Sequence, residues 1–175
     1  KAKIEGVELD EQAAIQAGEN FAGSKFDARL TIHQERIQDF ATSKRFDLIV
    51  SNPPYFTAHL KAKGKERNQA LHTDTLSFAD LVKQVIRLLA NSGRFWMILP
   101  PYESTVFQEL ARKHGLFSNQ IFRLKDKPEK QVQRELVEFS FAERSLRNFD
   151  ILIKNQDGSP SESYSKLVSG FLLDF

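Results

Sequence analysis

The sequence has no cysteine and only one methionine among its 175 residues. Without cysteine there are no disulfide bonds, no thiolate metal ligands and no thiol nucleophile. No apolar run reaches the roughly 18 residues that a membrane helix needs, and residues 1–5 do not resemble the apolar region of a signal peptide. We therefore expect a cytoplasmic protein without membrane segments. Because the single methionine, Met97, is internal and the chain opens on Lys1, we also expect the natural start to lie upstream.

The overall charge is close to balanced, at +2, but basic residues are concentrated in two segments. Residues 57–67 contain four basic residues and one acid, and residues 123–134 contain five basic residues and two acids. Such segments either face solvent or contact an acidic partner such as nucleic acid. The length and the 41% hydrophobic content are typical of one soluble domain with a substantial core.

Short β-rich runs alternate with amphipathic stretches, which predicts an α/β fold with a mostly parallel sheet. The apolar run Leu48-Ile49-Val50 predicts a strand buried on both faces, and Asn91-Ser92-Gly93 predicts the end of a helix. Residues 36–40 predict a short helical turn, and 52–75 a long loop. Strands are predicted at 3–9, 29–33, 46–51, 94–99, 117–124, 135–143 and 149–154, the sixth pairing antiparallel with the fifth, and helices at 10–20, 77–90, 102–114 and 163–173.

The segment Asn52-Pro53-Pro54-Tyr55 directly follows the predicted strand 46–51. Ligands of open α/β sheets bind at the carboxyl ends of strands. Each proline fixes φ and has no N–H, so the backbone is stiff and its carbonyls stay available as acceptors. An amide oxygen beside a free carbonyl suits a planar NH₂ group, and Tyr55, with Phe56, offers an aromatic surface for a base. The segment therefore predicts a site for a flat, NH₂-bearing substrate.

These four residues match motif IV of the amino-group methyltransferases, which reads (Asn/Asp/Ser)-Pro-Pro-(Tyr/Phe/Trp). Together with residues 46–56, 67–76 and 93–100, the chain most resembles the tRNA N6-adenine methyltransferases that modify the adenine beside the anticodon of a valine tRNA. The resemblance implies a Rossmann-like class I sheet with a C-terminal antiparallel hairpin, S-adenosylmethionine (SAM) as cofactor and tRNA as substrate. It also implies that residues 1–175 are the C-terminal portion of one domain, because nothing like the family's first strand and its Gly-x-Gly-x-Gly turn is present.

The resemblance assigns cofactor contacts to residues after two of the strands. Glu8, followed by Leu9, occupies the place of the acid that binds the ribose hydroxyls of SAM, and Asn52 lies in the motif beside the methyl donor. Glu35 lies one position before the expected adenine-binding acid, where this sequence has Arg36. Four basic residues after the motif are expected to meet RNA phosphates, namely Lys61, Lys63, Lys65 and Arg67.

Other functions remain open at this stage. The same motif serves enzymes that methylate a glutamine amide of release factors, and a guanine N2 methyltransferase of ribosomal RNA is a further possibility. A non-catalytic nucleic-acid-binding module would also account for the missing glycine turn. The four histidines, His33, His59, His72 and His114, lack metal-ligand spacing, so we expect no metal.

Overall fold

A computed structural model describes residues 2–53 and 76–171. These residues form two compact units, Lys1–Lys44 (the first unit) and Arg45–Phe175 (the second unit). The first contains β1 (Ile4–Glu8), α1 (Glu11–Ala22), a 3-10 turn (Asp27–Arg29) and β2 (Leu30–Gln34). The second contains β3 (Phe46–Ser51), α2 (Phe78–Leu88), β4 (Leu89–Leu99), α3 (Pro101–Lys113), β5 (Phe117–Lys125), β6 (Arg134–Ser140), β7 (Arg147–Leu152) and α4 (Glu162–Val168).

The first unit is a βαβ arrangement. Strands β1 and β2 pair in parallel, from Ile4 opposite Leu30 to Glu8 opposite Gln34. The helix between them begins at Glu11, one residue after the predicted start, and is capped by Asp10, whose carboxylate accepts a hydrogen bond from the Ala13 N–H at 2.8 Å. Both strands therefore end at the same edge of this small sheet.

The second unit is built on a five-stranded sheet in the order β3-β4-β6-β5-β7. Strand β6 is antiparallel to both of its neighbours, while β3 with β4, and β5 with β7, pair in parallel. The predicted antiparallel pairing of the fifth and sixth strands is therefore confirmed. Strands β3, β4, β5 and β7 all end on one side of the sheet, which we call the carboxyl edge.

Helices α2 and α3 cover one face of this sheet, and the hydrophobic core lies between these helices and the sheet. Phe95, Phe107 and Phe139 are fully buried, and their rings meet pairwise at centroid distances of 5.4–6.1 Å. Edge-to-face and offset ring packing of this kind adds to the gain from burial alone. The other buried apolar side chains of this core are Leu81, Val82, Val85, Leu89, Met97, Leu99, Ala111, Leu116, Ile121 and Val137.

The opposite face differs from the prediction for β3. Leu48 and Val50 are 57% and 69% exposed, whereas Ile49 packs against the core. Successive side chains of a strand point to opposite faces, and no described helix of the second unit covers the face that carries Leu48 and Val50. The prediction that this run is buried on both faces is wrong for the described structure.

The prediction of a helix end at Asn91-Ser92-Gly93 is also wrong. Helix α2 ends at Leu88, and these three residues belong to β4. A Cβ at Gly93 would lie 2.8 Å from the carbonyl oxygen of Phe46, so glycine here permits the close approach of β3 to β4. Glycine at this position is therefore required by the pairing of β3 with β4, and a pattern within one segment of sequence does not reveal that pairing.

Smaller differences occur near the chain end. The last helix, α4, spans only Glu162–Val168 instead of 163–173, and β7 begins at Arg147, two residues earlier than predicted.

Residues 36–40 form one turn, in which the N–H groups of Asp39 and Phe40 donate to the Arg36 carbonyl. Across the described residues, no helix has the length and hydropathy needed to cross a membrane.

Candidate functional site

The start of the predicted motif lies at the carboxyl edge. Strand β3 pairs with β4 up to Ser51 opposite Met97, and Asn52 and Pro53 follow directly. Pro53 is buried, while Asn52 is exposed. The buried proline fixes the chain as it leaves the sheet, so the neighbouring Asn52 amide is held at an accessible place on a rigid strand end.

The remainder of the motif and the basic segment after it lie outside the described residues. This applies to Pro54, Tyr55 and Phe56 and to the four basic residues expected to contact RNA, Lys61, Lys63, Lys65 and Arg67. The expectations for these seven residues stay predictions.

The expected cofactor acids lie together in the first unit. The Glu35 N–H donates to the Glu8 carbonyl at 3.0 Å, which places the two acids side by side at the ends of β1 and β2. The Glu8 side chain is half-buried, and its Oε1 accepts a hydrogen bond from the Asp10 N–H at 2.9 Å. This contact orients the carboxylate and leaves its second oxygen for a ligand hydroxyl.

Leu9 follows Glu8 and is 45% exposed. Its carbonyl accepts a hydrogen bond from the Gln34 side chain at 3.2 Å, which joins the residues that follow β1 to the end of β2. Arg36, where the family has an acid, is half-buried and engaged in contacts of its own. An oriented carboxylate beside an exposed apolar side chain fits the ribose and the adenine of SAM, so the residues present are compatible with that cofactor.

Sequence reasoning missed a charged cluster in the same unit. Glu5 on β1 accepts hydrogen bonds from Lys44 at 2.5 Å and from His33 at 3.1 Å, and the His33 ring packs against Phe40 at 4.9 Å. The hydrogen bond from Lys44 is the main cause that lowers the pKa of Glu5, and His33 adds to it. The partners are 28 and 39 residues away in sequence, so only the fold brings them together.

Comparison with known proteins places the chain in a family. Residues 3–132 match the model of the Eco57I restriction-modification methylase family. A tRNA1(Val) (adenine(37)-N6)-methyltransferase from Pseudoalteromonas translucida is 39% identical over 97% of this chain and 73% of its own length. One from Phocaeicola vulgatus is 37% identical over 99% of this chain and 74% of its own length. The chain belongs to the tRNA1(Val) (adenine(37)-N6)-methyltransferase family. The resemblance inferred from the motif is therefore confirmed.

Solved structures of methyltransferases share the fold. A predicted O-methyltransferase from Agrobacterium tumefaciens superposes with a TM-score of 0.66, at 16% identity, over 95% of this chain and 77% of its own. A TehB-like SAM-dependent methyltransferase from Corynebacterium glutamicum gives 0.52, at 19% identity, over 79% of this chain and 67% of its own. The predicted Rossmann-like class I fold of this tRNA methyltransferase family member is confirmed.

Proposed function

We propose that the chain transfers a methyl group from SAM to the exocyclic N6 of an adenine in tRNA. The observation that carries the proposal is the position of Asn52 and Pro53, an exposed amide beside a buried proline at the carboxyl end of β3. The 39% identity to a tRNA1(Val) (adenine(37)-N6)-methyltransferase supports the substrate and the cofactor.

The exocyclic amine of adenine is a weak nucleophile, because its lone pair is delocalised into the ring. The Asn52 side-chain oxygen and the Pro53 carbonyl would accept its two N–H bonds, favour a pyramidal nitrogen and stabilise the positive charge that develops there. Tyr55, with Pro54 stiffening the backbone before it and Phe56 after it, would hold the flat base by stacking. A dedicated strong base is unnecessary, since the alkylated nitrogen is acidic and loses its proton afterwards.

When bound, SAM supplies an electrophilic methyl group on a sulfonium ion. Glu8 would hold its ribose hydroxyls through the carboxylate oxygen that Asp10 leaves available, and Leu9 would contact the adenine. Glu35 is the acid nearest in sequence to the expected adenine contact and lies beside Glu8. Replacing Glu8 by Gln keeps the shape and removes the charge, so SAM affinity is expected to fall while the fold is retained.

The proposed site in tRNA is the adenine of the anticodon loop, at the position that the relatives' names give. The basic residues Lys61, Lys63, Lys65 and Arg67 directly follow the motif and would contact phosphates on either side of the flipped base. A tRNA substrate also supports the expected cytoplasmic location.

The assignment of residues 1–175 to the C-terminal portion of a single methyltransferase domain stays a prediction.

The alternatives share the motif and differ in the acceptor. A glutamine amide and the N2 of guanine are both planar NH₂ groups, so Asn52 would serve either. The curated relatives favour adenine N6 over both, and over a non-catalytic module.

The decisive experiment measures transfer from methyl-labelled SAM to unmodified tRNA, ribosomal RNA and release factor in parallel. Label on tRNA, recovered as N6-methyladenosine after nuclease digestion, is the expected result. Label on protein or on guanine would replace the proposal by the corresponding alternative, and label on none would favour a binding module.

The role of Asn52 is tested by Asn52→Ala, with Asn91→Ala as the matched control. Asn91 is also exposed and lies at the opposite end of β4, the strand that neighbours β3. Loss of one preorganised acceptor is expected to reduce kcat about 10²- to 10³-fold, whereas the control retains full activity. Equal activities of the two variants, at equal thermal stability, would contradict the assignment.

A further inference from the structure

We propose that the end of β5 and its connection to β6 form a second phosphate-binding surface for the substrate tRNA. Its three lysines, Lys125, Lys127 and Lys130, are named here the lysine turn. The inference rests on the proposed function, since it concerns how the same tRNA is held. It uses the second basic segment of the sequence, residues 123–134, to which neither the motif nor the proposed chemistry assigns a role.

The lysine turn has a fixed backbone. The Lys130 N–H donates to the Lys127 carbonyl at 3.0 Å, which closes a four-residue turn with Pro128 at its second position. The Ile153 and Lys154 N–H groups donate to the carbonyls of residues 125 and 126 at 2.9 and 2.8 Å. A turn that is held in place before binding loses little conformational entropy when it meets a ligand.

The acids in and around the turn are largely paired away from it. Asp126 forms an ion pair with Lys154 at 3.2 Å, and Glu135 lies 3.6 Å from Arg123. No ion pair joins a lysine of the turn to any other described residue. Of the remaining charges, Glu129 lies at the tip of the turn and Asp157 lies near Lys127. The three lysines of the turn thus outnumber the two acids, Glu129 and Asp157.

The turn shares the carboxyl edge with the proposed methylation site. Strands β3 and β5 run in the same direction, since β4 is parallel to β3 and β6 is antiparallel to both β4 and β5. Asn52 and Lys125 therefore both lie where their strands end on this side. Three strand spacings of about 4.8 Å separate β3 from β5 sideways, which is roughly 14 Å. The register puts Ser51 level with Ile121, so Lys125 lies about 13 Å farther along the strand direction. That offset spans a few nucleotides, so the turn would meet phosphates of the same anticodon arm whose adenine reaches Asn52.

Lysines are compact point charges that suit phosphates, and contacts to phosphates carry no sequence information directly. Neutralising the three lysines should weaken tRNA binding by roughly tenfold at low salt and reduce the slope of log affinity against log salt by about 2. The loss should be the same for a tRNA that lacks the target adenine. Because the turn touches no reacting atom, KM for tRNA should rise while kcat stays unchanged.

The test compares K125Q/K127Q/K130Q with K83Q/K113Q/R144Q, in filter-binding and methyl-transfer assays over a range of salt. The control variant removes the same charge from exposed positions away from the carboxyl edge, on α2, at the end of α3 and after β6. Exposed and half-buried charges of this kind are expected to change stability by no more than about 0.5 kcal/mol, which thermal unfolding verifies. The charge-preserving variant K125R/K127R/K130R should bind tRNA like the wild type.

Three outcomes overturn the inference. They are unchanged affinity and salt slope in the turn variant, an equal loss in the control variant, and a fall in kcat without a change in KM. If the wild-type protein methylates tRNA and one of these occurs, only the second surface fails. If the wild-type protein neither binds nor methylates tRNA, the proposed function fails first.

Discussion

The two units of the chain are stabilised in different ways. Among the described residues, the first unit buries only two apolar side chains, Ala14 and Phe40, whereas the second unit buries fourteen. The first unit instead places Glu5 between Lys44 and His33. Since burial of apolar surface is the dominant favourable contribution to folding, the second unit should hold most of the stability of the chain.

The difference has a functional meaning. The residue proposed for the target base, Asn52, extends from the well-packed second unit, where a rigid strand end preserves acceptor geometry. The residue proposed for the cofactor, Glu8, lies in the weakly packed first unit. A site on a less stable element gains more order when its ligand binds. We therefore expect SAM to protect β1 and β2 against hydrogen exchange more than it protects β3 and β4.

The largest expected effect comes from removing the central ring of the second unit. Phe107 is fully buried, and its ring centre lies 5.3 Å from that of Phe78 and 5.4 Å from that of Phe139. Phe107→Ala should lower the free energy of unfolding by about 3–5 kcal/mol, measured by urea denaturation. The preceding residue, Val106, is 40% exposed, so Val106→Ala should cost less than about 0.5 kcal/mol. Similar costs for both variants would contradict the conclusion that the stability of the second unit comes from its buried core.

An intermediate effect is expected at the ion pair between Arg94 and Glu138, on the face of the same sheet that is opposite α2 and α3. Arg94 lies 2.6 Å from Glu138, whose side chain is 3% exposed and also accepts from Gln120 at 2.8 Å. Arg94→Met leaves a buried carboxylate with one neutral partner, which should cost roughly 2 kcal/mol because Arg94 itself is 42% exposed. Arg112→Met breaks the exposed pair with Glu143 and should cost at most about 1 kcal/mol.

The control separates charge burial from ion pairing as such. If urea denaturation shows the same loss in the free energy of unfolding for Arg94→Met and Arg112→Met, burial of the Glu138 carboxylate does not explain the loss. Only the core beneath α2 and α3 would then distinguish the second unit in stability.

Local patterns were sufficient for most elements of the fold. Period-2 and helical apolar spacing predicted every strand and α-helix that the structure describes, with shifts at their ends. The errors at Gly93, Leu48 and Val50 have a common physical cause. Strand register and the covering of a sheet face depend on partners distant in sequence, which spacing within one segment does not reveal.

For the candidate site, the sequence predicted where Asn52 and Pro53 lie, while the roles of the site residues stay predictions. Asn52 and Pro53 lie at a strand end, as the motif predicts, and Glu8 lies beside Glu35. The pairing of Glu5 with Lys44 was beyond sequence reasoning, since neither residue belongs to a motif and 39 residues separate them. The same applies to the lysine turn, because only the strand order β3-β4-β6-β5 brings it to the carboxyl edge.

The smallest expected effect is a pH dependence of stability, and it concerns Glu5 with its partners Lys44 and His33. The folded-state pKa of Glu5 is lowered from its ordinary value of 4.5, chiefly by the hydrogen bond from Lys44. A lowered folded-state pKa contributes stability that is fully present above the unfolded-state pKa and is lost as the pH falls through the folded-state value. Because Lys44 is 62% exposed, Glu5→Gln should cost only about 0.5–1 kcal/mol near neutral pH.

Hydrogen exchange of the β1 and β2 amides, followed from neutral pH to below pH 4, measures this effect within the first unit. The protection difference between wild type and Glu5→Gln should shrink as the pH falls, because the wild-type carboxylate becomes protonated and loses its advantage. Glu19→Gln, on the exposed surface of α1, should leave protection unchanged at every pH. A wild-type advantage that persists undiminished below the folded-state pKa would mean that the shape of the side chain, and not its charge, stabilises the first unit.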